Sequence, residues 1–487
     1  MTTDVIIAGG GPTGLWLAAE LRLAGVAVTV LERSPERGTF TRGMGVHART
    51  LEVLAMRSMA DIPLSGGRIM PKWHFGMLPS MIDFSALDSR YPFVLAYPQP
   101  LLEELLERHA LDLGATVLRG WSVSAVAQDE ASVRVLAEGP GGRKAFEAGY
   151  AAGCDGAGST VRKAAGIAFP GTDATLFGYL GDVTLDDPPE RGSTVIASPG
   201  GALVVAPLPA KDRYRVAGFD PHDQGPGDTL TPERFRESVE RAAGHDFGLR
   251  DPSWLSRFGN ATRQAAAYRA GRVLLAGDAA HMHLPTGGVG LNVGIQDSMN
   301  LGWKLAAVAQ GRAPDDLLST YHDERHPVGS ALLTSTVAQT ALIAAFTAEG
   351  LALREKLAAL IDRVPEFSRQ LARELSGLDV AYPPAATPAH PLVGTRVPDF
   401  RVGDSTVFRH LIQGRVLLLN FAGPGALGAA AEFAGTLGIP AHPAGPWPGH
   451  DEVAFALIRP DGYVGWASDH PSGDEVISAL TAAAIRF

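Results

Sequence analysis

Three glycines near the N-terminus have the spacing of a phosphate-binding turn. The pattern Gly9-x-Gly11-x-x-Gly14 follows the apolar run from Val5 to Ala8 and precedes a helical pattern. Such a turn lets the backbone approach a pyrophosphate, and the N–H groups at the start of the helix then face the phosphates. Glu32 ends the next predicted strand, where a carboxylate can bind both hydroxyls of a ribose. The order of strand, turn, helix, strand and acid predicts a dinucleotide site.

A second group of residues suited to ligand chemistry lies far along the chain. Asp278 follows the apolar strand pattern of residues 272–276, and a loop of small residues from Pro285 to Gly290 leads into a long predicted helix. A carboxylate at a strand end can bind a sugar hydroxyl, and a loop of small residues lets a flat ring lie against backbone N–H groups. The alternative interpretation is a plain turn at Gly287-Gly288 and a helix cap at Asp278.

Length and composition exclude several classes of protein. The 487 residues are enough for about three domains. The single cysteine, Cys154, excludes a disulfide framework and a thiolate cluster for zinc or iron–sulfur. The balance of 42 basic against 52 acidic residues, with no basic block, disfavours a nucleic-acid partner. No uninterrupted apolar stretch is long enough for a membrane span, and no signal-peptide pattern precedes Val5, so we expect a cytoplasmic protein.

Three ordered motifs together identify a family. The glycine turn is followed by Asp155-Gly156 with Ser159 and Arg162, and then by the segment 271–305 that contains Asp278 and the small-residue loop. Over residues 4–380 the chain resembles the class A flavoprotein aromatic hydroxylases, which have the p-hydroxybenzoate hydroxylase fold. The resemblance implies bound FAD, with NADPH or NADH and O2 as co-substrates. It also implies an oxygen transfer by a flavin C4a-hydroperoxide and a flavin that moves between two positions.

The resemblance assigns cofactor contacts to matching positions. Glu32 would hold the adenosine ribose, Arg42 the pyrophosphate, Gln99 the ribityl side, and Asp278 the ribityl or phosphate end. The backbone of the first helical turn after the loop would meet the edge of the isoalloxazine ring. The full set of predicted cofactor contacts is Gly9, Gly11, Thr13, Gly14, Glu32, Arg33, Arg42, Gln99, Val123, Asp155, Asp278, Pro285, Gly288, Gly290, Leu291 and Asn292.

Two positions in that set leave a choice open. Asp155 belongs to the family's Asp-Gly motif, which contacts both FAD and pyridine nucleotide, but a carboxylate in a turn is its alternative interpretation. Val289 stands where close relatives commonly have glutamine in the Gly-Gly-x-Gly loop. We expect binding to survive this change, because backbone groups make the contacts there.

No side chain is clearly marked as a catalytic base. His47, His281 and His283 are the candidates for deprotonating a phenol, and all three lie close in sequence to predicted cofactor contacts. A histidine beside a cofactor more often serves as a structural hydrogen-bonding group. An acidic phenol of the hydroxynaphthacene or quinone type would need no base, so no proton-transfer residue is named.

The substrate layer is predicted from strand patterns between the second and third motifs. Residues 176–265 alternate strand-like stretches with turns rich in Gly and Pro, and residues 68–97 are expected to add strands over the flavin ring. Trp73, Phe75 and Met77 alternate, so we expect them to form one face of an aromatic-lined pocket; ordinary sheet core is the alternative. The scarcity of charge among these positions favours a large apolar polycycle over a small carboxylated phenol.

The predicted fold is α/β with three domains. A Rossmann-like FAD-binding domain comprises residues 1–175 and 266–380, the substrate-binding sheet domain is inserted at 176–265, and a linker rich in Pro and Ala leads to residues 392–487. This last domain resembles the thioredoxin-like tail of phenol and polyketide hydroxylases. It lacks thioredoxin chemistry because no cysteine follows Cys154, so a structural or assembly role is expected, and a second copy of the chain is a candidate partner.

The segments 258–263 and 321–327, with the tail, resemble the actinobacterial aromatic polyketide hydroxylases. The rifampicin monooxygenases share almost every motif, but Met44 replaces an arginine expected in that group. The resemblance therefore implies hydroxylation of a polycyclic aromatic polyketide. The alternatives are Baeyer–Villiger oxidation of a polyketide, inactivation of a rifamycin-type antibiotic, and a flavin-holding protein that sequesters a drug. A plain NAD dehydrogenase would leave Asp278 and the small-residue loop without a role.

Overall fold

The computed structural model describes residues 3–38, 43–190, 193–208, 212–225, 229–384, 389–423, 426, 428–445 and 447–486. Arg42, one of the predicted cofactor contacts, lies outside these ranges. None of the helices within the described ranges is long and apolar enough to cross a membrane.

A six-stranded sheet forms the centre of the N-terminal part of the chain. Five strands are parallel and a sixth pairs antiparallel at one edge. Most of their side chains are apolar, as expected for parallel strands covered on both faces. In spatial order the strands are Arg269–Ala270, Val273–Leu275, Tyr150–Gly153, Val5–Ala8, Val28–Glu32 and Thr116–Arg119.

Helices cover this sheet and extend beyond it. Two of them, Pro12–Leu23 and Gly290–Ala309, pack against each other and begin at the first and third sequence motifs. Three short 3-10 turns lie at Gly277–Ala279, Thr286–Gly288 and Asp315–Leu318. The remaining helices of this part are Ala48–Ala55, Asp61–Gly66, Gln99–Asp112, Thr160–Ala164, Ser319–Ile343, Ala348–Arg363 and Pro365–Ser376.

Small antiparallel sheets complete the frame around the central sheet. One three-stranded sheet packs against the central core and consists of Ser122–Gln128, Val133–Gly139 and Gly142–Ala148. The others are Gly45–Val46 with Arg68–Met70 and Val94–Ala96, Lys72–Trp73 with Ile82–Asp83, and Gly171–Thr172 with Thr262–Gln264 and His281–Met282.

The inserted region forms a five-stranded antiparallel sheet, as predicted from its alternating patterns. The order of the strands is Thr194–Ser198, Gly201–Pro207, Arg213–Phe219, Phe177–Leu185 and Leu249–Gly259. The helix Pro232–Ala243 covers one face, where Phe235 and Val239 pack against the apolar side chains of alternate strand positions. Because side chains alternate between the two faces of a strand, the intervening positions lie on the opposite face, called here the free face.

The C-terminal part has the strand order of a thioredoxin-like fold, again as predicted. In chain order a helix joins the first two strands, which are parallel; the next two strands are antiparallel, and a second helix follows them. The strands in spatial order are Ala441–Pro443, Leu417–Asn420, Phe455–Ile458 and Val464–Ser468. Shorter elements are Arg401–Val402, Ser405–Thr406 and Val407–His410, and the two larger helices are Ala429–Thr436 and Gly473–Arg486.

A turn of this C-terminal part is inserted into the rest of the protein. The turn, residues 459–463, joins its last two strands. Arg459 donates two hydrogen bonds of 2.8 Å to Glu324 on the helix Ser319–Ile343. Asp461 is fully buried and accepts hydrogen bonds from Arg459 and from the indole N–H of Trp303. Arg49 and Arg57 donate to the backbone carbonyls of Asp461 and Pro460, at 2.9 and 3.0 Å.

The buried charges around this turn generate a prediction about stability. In Arg459→Met the carboxylates of Glu324 and Asp461 lose their shared guanidinium, and we expect the free energy of unfolding to fall by about 3–5 kcal/mol. Arg143 is the matched control, because its 2.8 Å pair with Glu138 is exposed; Arg143→Met should cost less than about 1 kcal/mol. Urea unfolding measures both values, and equal losses in the two variants would contradict this account.

Candidate functional site

The glycine turn combines tight packing with one open position. Gly9 has φ of +103°, and a Cβ there would lie 2.2 Å from the carbonyl oxygen of Cys154. A Cβ on Gly14 would lie 2.0 Å from the carbonyl oxygen of Gly9. A Cβ on Gly11, by contrast, would meet nothing within 4 Å, and no side chain caps the helix that begins beside it at Pro12. The open side of the turn fits a pyrophosphate at a helix N-terminus.

Glu32 is oriented by two backbone groups. Its Oε2 accepts a hydrogen bond of 2.7 Å from Gly10 N, and its Oε1 accepts one of 2.8 Å from Ser34 N. Each carboxylate oxygen keeps a lone pair, so the fixed group can still accept hydrogen bonds from ribose hydroxyls. The next residue, Arg33, is exposed. The geometry therefore fits the predicted role of Glu32.

Thr13 joins the first and third motifs. A Cβ on Gly277 would lie 2.7 Å from Thr13 Oγ1, and a Cβ on Gly294 would lie 2.3 Å from the same atom. Ser298 donates a hydrogen bond of 2.7 Å to the carbonyl oxygen of Thr13. Asp278 lies exposed in the tight turn that follows Gly277. The close packing thus places the Asp278 turn and the helix Gly290–Ala309 directly beside the glycine turn.

A buried carboxylate, Asp297, fixes the turn that carries Asp278. It accepts hydrogen bonds from Gly277 N at 3.0 Å, His281 Nε2 at 2.7 Å and Arg325 Nε at 2.7 Å. Burial raises the pKa of Asp297, but the charges of Arg325 and His281 outweigh it, so the net pKa lies below its usual range. His281 is fully buried in this bridge, and the arrangement favours a structural role for it.

Asp155 acts as a helix cap in the structure. Its carboxylate accepts hydrogen bonds from Thr160 N at 2.7 Å and from the Ser159 hydroxyl. Arg162, from the same motif, donates a hydrogen bond of 2.8 Å to the carbonyl oxygen of Ala279. The second motif therefore touches the third through the turn that carries Asp278, and the turn interpretation of Asp155 describes its contacts.

The small-residue loop is held by side chains from a distant segment. The carbonyl oxygen of Gly287 accepts hydrogen bonds from both His47 Nε2, at 2.9 Å, and Trp73 Nε1, at 3.0 Å. Asn292 Nδ2 donates to the carbonyl oxygens of Gly45 and Gly288, while its Oδ1 accepts from His47 N. Gly287 and Gly288 have φ of +72° and +70°, which few other residues adopt. The loop is thereby fixed just before the uncapped helix that starts at Gly290.

His47 is neutral in this arrangement. A carbonyl oxygen only accepts hydrogen bonds, so Nε2 carries the proton and the buried Nδ1 has no hydrogen-bond partner among the described residues. Burial, together with the nearby His74, lowers the pKa of His47 to about 4. His283 contacts the loop differently: its Nδ1 lies 2.7 Å from the carbonyl oxygen of Leu284, and burial lowers its pKa.

Other predicted contacts occupy less direct positions. Gln99 Nε2 donates to Glu103 Oε1 at 2.7 Å, and Gln99 N donates to the carbonyl oxygen of Gly43 next to the Arg42 segment. Val123 is half-buried on its strand and packs against the central core. Pro285 is exposed and Leu291 half-buried, on either side of the fixed loop. Val289 packs in an apolar cluster with Phe84 and Leu332, which accounts for an apolar residue at this position.

The expectation that Trp73, Phe75 and Met77 share one strand face is wrong. The strand ends at Trp73, and Met77 has φ of +51° in a turn, so the alternation is broken. Trp73 and Phe75 pack in the cluster with Phe84, whereas Met77 packs in another cluster with Leu284 and Ile343. The positive φ at Gly76 and Met77 reverses the chain, a feature that periodicity alone did not reveal.

The free face of the five-stranded sheet supplies the larger apolar surface beside the loop. Strand pairing aligns its side chains in rows across the sheet. The first row packs against Met77 and Leu284 and contains Ala197, Ala202, Phe219, Gly178 and Phe258. The second row is half-buried and contains Val195, Val204, Ala217, Leu180 and Ser256.

Sequence reasoning placed these strands but missed several side chains that organise the site. No sequence motif assigns a role to Asp297, Arg325 or Gln339. Gln339 Oε1 accepts hydrogen bonds from Gly76 N and from the Thr286 hydroxyl, both at 3.1 Å. A usable signal was the position of Asp297 and Gln339 inside apolar helix stretches, because buried polar residues in such stretches need partners.

The two glycines of the first turn give a paired prediction. Gly11→Ala should fold with unchanged stability, because its Cβ has open space and its φ is ordinary, yet its affinity for FAD should fall about tenfold or more as the Cβ enters the phosphate position. Gly14→Ala should destabilise the protein even without FAD, since its Cβ would overlap Gly9 O. Fluorescence titration with FAD and urea unfolding separate the two effects. Normal FAD affinity in Gly11→Ala would contradict the placement of the pyrophosphate.

The lowered pKa of His47 gives a pH prediction. Between pH 6.5 and about 4, an unfolded chain binds a proton on His47 that the folded protein does not bind. As the pH is lowered from 6.5 to about 4, the free energy of unfolding should therefore decrease, by about 3 kcal/mol in total from this group. His47→Gln should flatten that dependence, whereas replacing the exposed His470 by Gln should leave it unchanged. Urea unfolding at several pH values tests this, and identical slopes in all three proteins would refute it.

Comparison with known proteins agrees with this geometry. The family model described as FAD binding domain matches residues 2–336, and the model described as aromatic-ring hydroxylase, C-terminal, matches residues 390–486. The chain is similar to the anhydrotetracycline hydroxylase OxyS of Streptomyces rimosus, with a TM-score of 0.91 and 40% identity over 100% of this chain and 99% of that one.

Curated relatives extend over nearly the whole chain. An uncharacterized aromatic compound monooxygenase of Bacillus subtilis is 44% identical over 97% of this chain and 96% of its own length. The 12-dehydrotetracycline 5-monooxygenase/anhydrotetracycline 6-monooxygenase of Streptomyces rimosus is 43% identical over 98% of this chain and 97% of its own length. A rifampicin monooxygenase of Streptomyces venezuelae is 39% identical over 96% of each chain. The chain therefore belongs to the FAD-binding aromatic-ring hydroxylase family, as an FAD-dependent aromatic monooxygenase.

Proposed function

We propose that this protein uses NAD(P)H and O2 to hydroxylate a polycyclic aromatic polyketide. The observation that carries the proposal is the free face of the five-stranded sheet, where two successive rows of apolar side chains lie next to the small-residue loop. Along the strands, two successive rows of one face are about 7 Å apart; across the sheet, each row includes five strands. Such a surface fits several fused rings. The similarity to tetracycline-modifying relatives supports the same substrate class.

The residues proposed to hold FAD divide along the cofactor. The glycine turn and Glu32 would hold the pyrophosphate and the adenosine ribose, and Asp278 with the uncapped helix at Gly290 would hold the ribityl chain and the ring edge. Bound FAD supplies the redox chemistry that passes electrons from NAD(P)H to O2. The positive end of the helix dipole at Gly290 favours negative charge on the reduced ring.

The protein's own residues would orient the substrate and exclude water. His47 and Trp73 hold the Gly287 carbonyl, so the small-residue loop that would meet the flavin ring keeps one conformation. Phe219 and Phe258, whose rings meet edge to face with centroids 5.3 Å apart, pack in the same apolar cluster as Leu284, the residue just before that loop. A dry apolar site protects the oxygenating species from water and aligns the ring to be oxidised. No described side chain is placed as a proton acceptor for the substrate.

Aerobic oxidation of NADPH and NADH by the FAD-loaded protein tests the proposal. The reaction is measured with and without angucyclines, anthracyclines, tetracyclines and rifamycins, and product mass is read from the same tubes. We expect an aromatic polyketide to stimulate the rate at least tenfold and to gain one oxygen as a hydroxyl. A response to rifamycins alone would instead establish antibiotic inactivation. Ring expansion to a lactone would establish Baeyer–Villiger oxidation, and binding without turnover would establish sequestration.

A pair of variants connects the activity to the free face. Val204→Phe adds a ring to the second row, so KM for the responding polyketide should rise about tenfold or more while FAD content stays unchanged. Val337→Phe is the control, since Val337 is half exposed on the helix Ser319–Ile343. An unchanged KM in Val204→Phe would show that the substrate lies elsewhere.

A further inference from the structure

Beyond the two apolar rows, the free face carries a third row that is charged yet buried. Strand pairing aligns Ala206, Arg215, Asp182 and Trp254 across four strands. Arg215 Nε and Nη2 donate to the two carboxylate oxygens of Asp182, both at 2.9 Å. Trp254 Nε1 donates to Asp182 Oδ2 at 2.7 Å, and the Arg215 guanidinium lies 5.7 Å from the Trp254 ring centroid.

Stability alone does not account for this cluster. The side chains of Arg215 and Asp182 are each only 10% exposed, and taking two charges out of water costs about as much free energy as their attraction returns. Apolar side chains of similar volume would serve a sheet equally well. The pairing between the strands Phe177–Leu185 and Leu249–Gly259 is also irregular just beyond Asp182 and Trp254, so the polar row marks the end of the regular free face.

The cluster lies on the proposed substrate surface at a defined distance from the flavin side. Arg215 is four residues from Phe219 on the same strand and on the same face, which corresponds to about 13 Å. A single phenol beside Phe219 is too short to reach it, whereas a fused polycycle with a substituent on its far ring is long enough. The cluster would therefore meet only a substrate of that length.

The hydrogen bonds within the cluster determine which group it can receive. Asp182 Oδ2 accepts from both Arg215 and Trp254 and Oδ1 accepts from Arg215, so the paired carboxylate compensates the charge of Arg215. Arg215 Nη1, however, donates to no residue within the described part of the chain, so its two N–H groups are available. A charge-compensated guanidinium favours a neutral oxygen acceptor and gives no net attraction to a carboxylate.

We propose that Arg215, Asp182 and Trp254 form a distal substrate subsite that binds an uncharged oxygen acceptor, such as a carbonyl or carboxamide, on the far ring of the polycycle. This inference rests on the proposed function, because it assumes that the polycycle lies along the free face. It adds a specificity rule, namely that length and a neutral polar end group are recognised together, and that a carboxylate at the same place is not.

Three naphthacenequinones test the subsite by binding alone, without NAD(P)H. They share a phenolic ring and carry hydrogen, a carboxamide or a carboxylate on the far ring. Dissociation constants are read from flavin absorbance. We expect the protein to bind the carboxamide at least tenfold more tightly than the unsubstituted ligand, the scale of one hydrogen bond to a charged group, and to bind the carboxylate no more tightly.

Variants make the test specific to the cluster. Asp182→Asn leaves Arg215 uncompensated, so preference should switch to the carboxylate by about tenfold. The double variant Asp182→Leu with Arg215→Leu removes both charges together, and it should bind the three ligands within about threefold of one another. Asp186→Asn is the matched control, because Asp186 pairs with Arg250 just beyond the strand Phe177–Leu185 but its side chain is 61% exposed. This variant should have the same ligand preferences as the wild-type protein.

The outcomes separate the two proposals. If the protein binds all three ligands equally, or if the double variant keeps the preference for the carboxamide, the subsite is refuted while the polycyclic substrate stands. If the unsubstituted naphthacenequinone does not bind and no polyketide stimulates NAD(P)H oxidation, the proposed substrate class fails and the subsite fails with it. If Asp182→Asn binds the carboxylate more tightly than the carboxamide, the cluster is established as the group that contacts the substituent on the far ring.

Discussion

The buried carboxylate of Asp297 is the interaction on which the arrangement of the three sequence motifs depends. One side chain accepts hydrogen bonds from the backbone of the Asp278 turn, from the neighbouring His281 and from Arg325 on another helix. An unpaired charge at this depth would cost several kcal/mol, so its three donors cannot separate independently. The turn that carries Asp278 therefore has one position relative to the helix that begins at Gly290. Close packing of Gly277 and Gly294 on Thr13 extends the same constraint to the glycine turn.

The five-stranded sheet uses its two faces for different purposes. Phe235 and Val239 seal one face into a core, whereas the free face is half-buried and ends in the cluster of Arg215 and Asp182. Since alternate residues of the same strands serve the two faces, a change at Val204 leaves the sealed core intact. The side chains of the free face can therefore change with little effect on folding. The turn and helices around Asp297, which buried charges hold together, lack that freedom.

Much of this architecture could be predicted from the sequence, because strands and glycine turns are local patterns. The order of the motifs predicted the flavin fold, and the alternation in residues 176–265 predicted the inserted sheet. What could not be predicted is which distant side chains meet. His47 and Trp73 donate to the same carbonyl of Gly287, more than two hundred residues away in sequence, and no local pattern reports such a contact. The error at Met77 has the same origin, because a turn with positive φ interrupted an alternation that looked continuous.

The inserted turn at residues 459–463 has a consequence for biosynthesis. A ribosome makes this turn after Arg49, Arg57, Trp303 and Glu324, the residues of the other elements that bind it. Until the turn arrives, Glu324 lacks the guanidinium of Arg459, and Arg49 lacks the carbonyl of Asp461. Arg49 belongs to the helix that follows His47, and Glu324 to a helix next to the one that starts at Gly290. The nascent chain thus completes these buried contacts only once the turn has been made, and a product truncated before Arg459 would lack all of them.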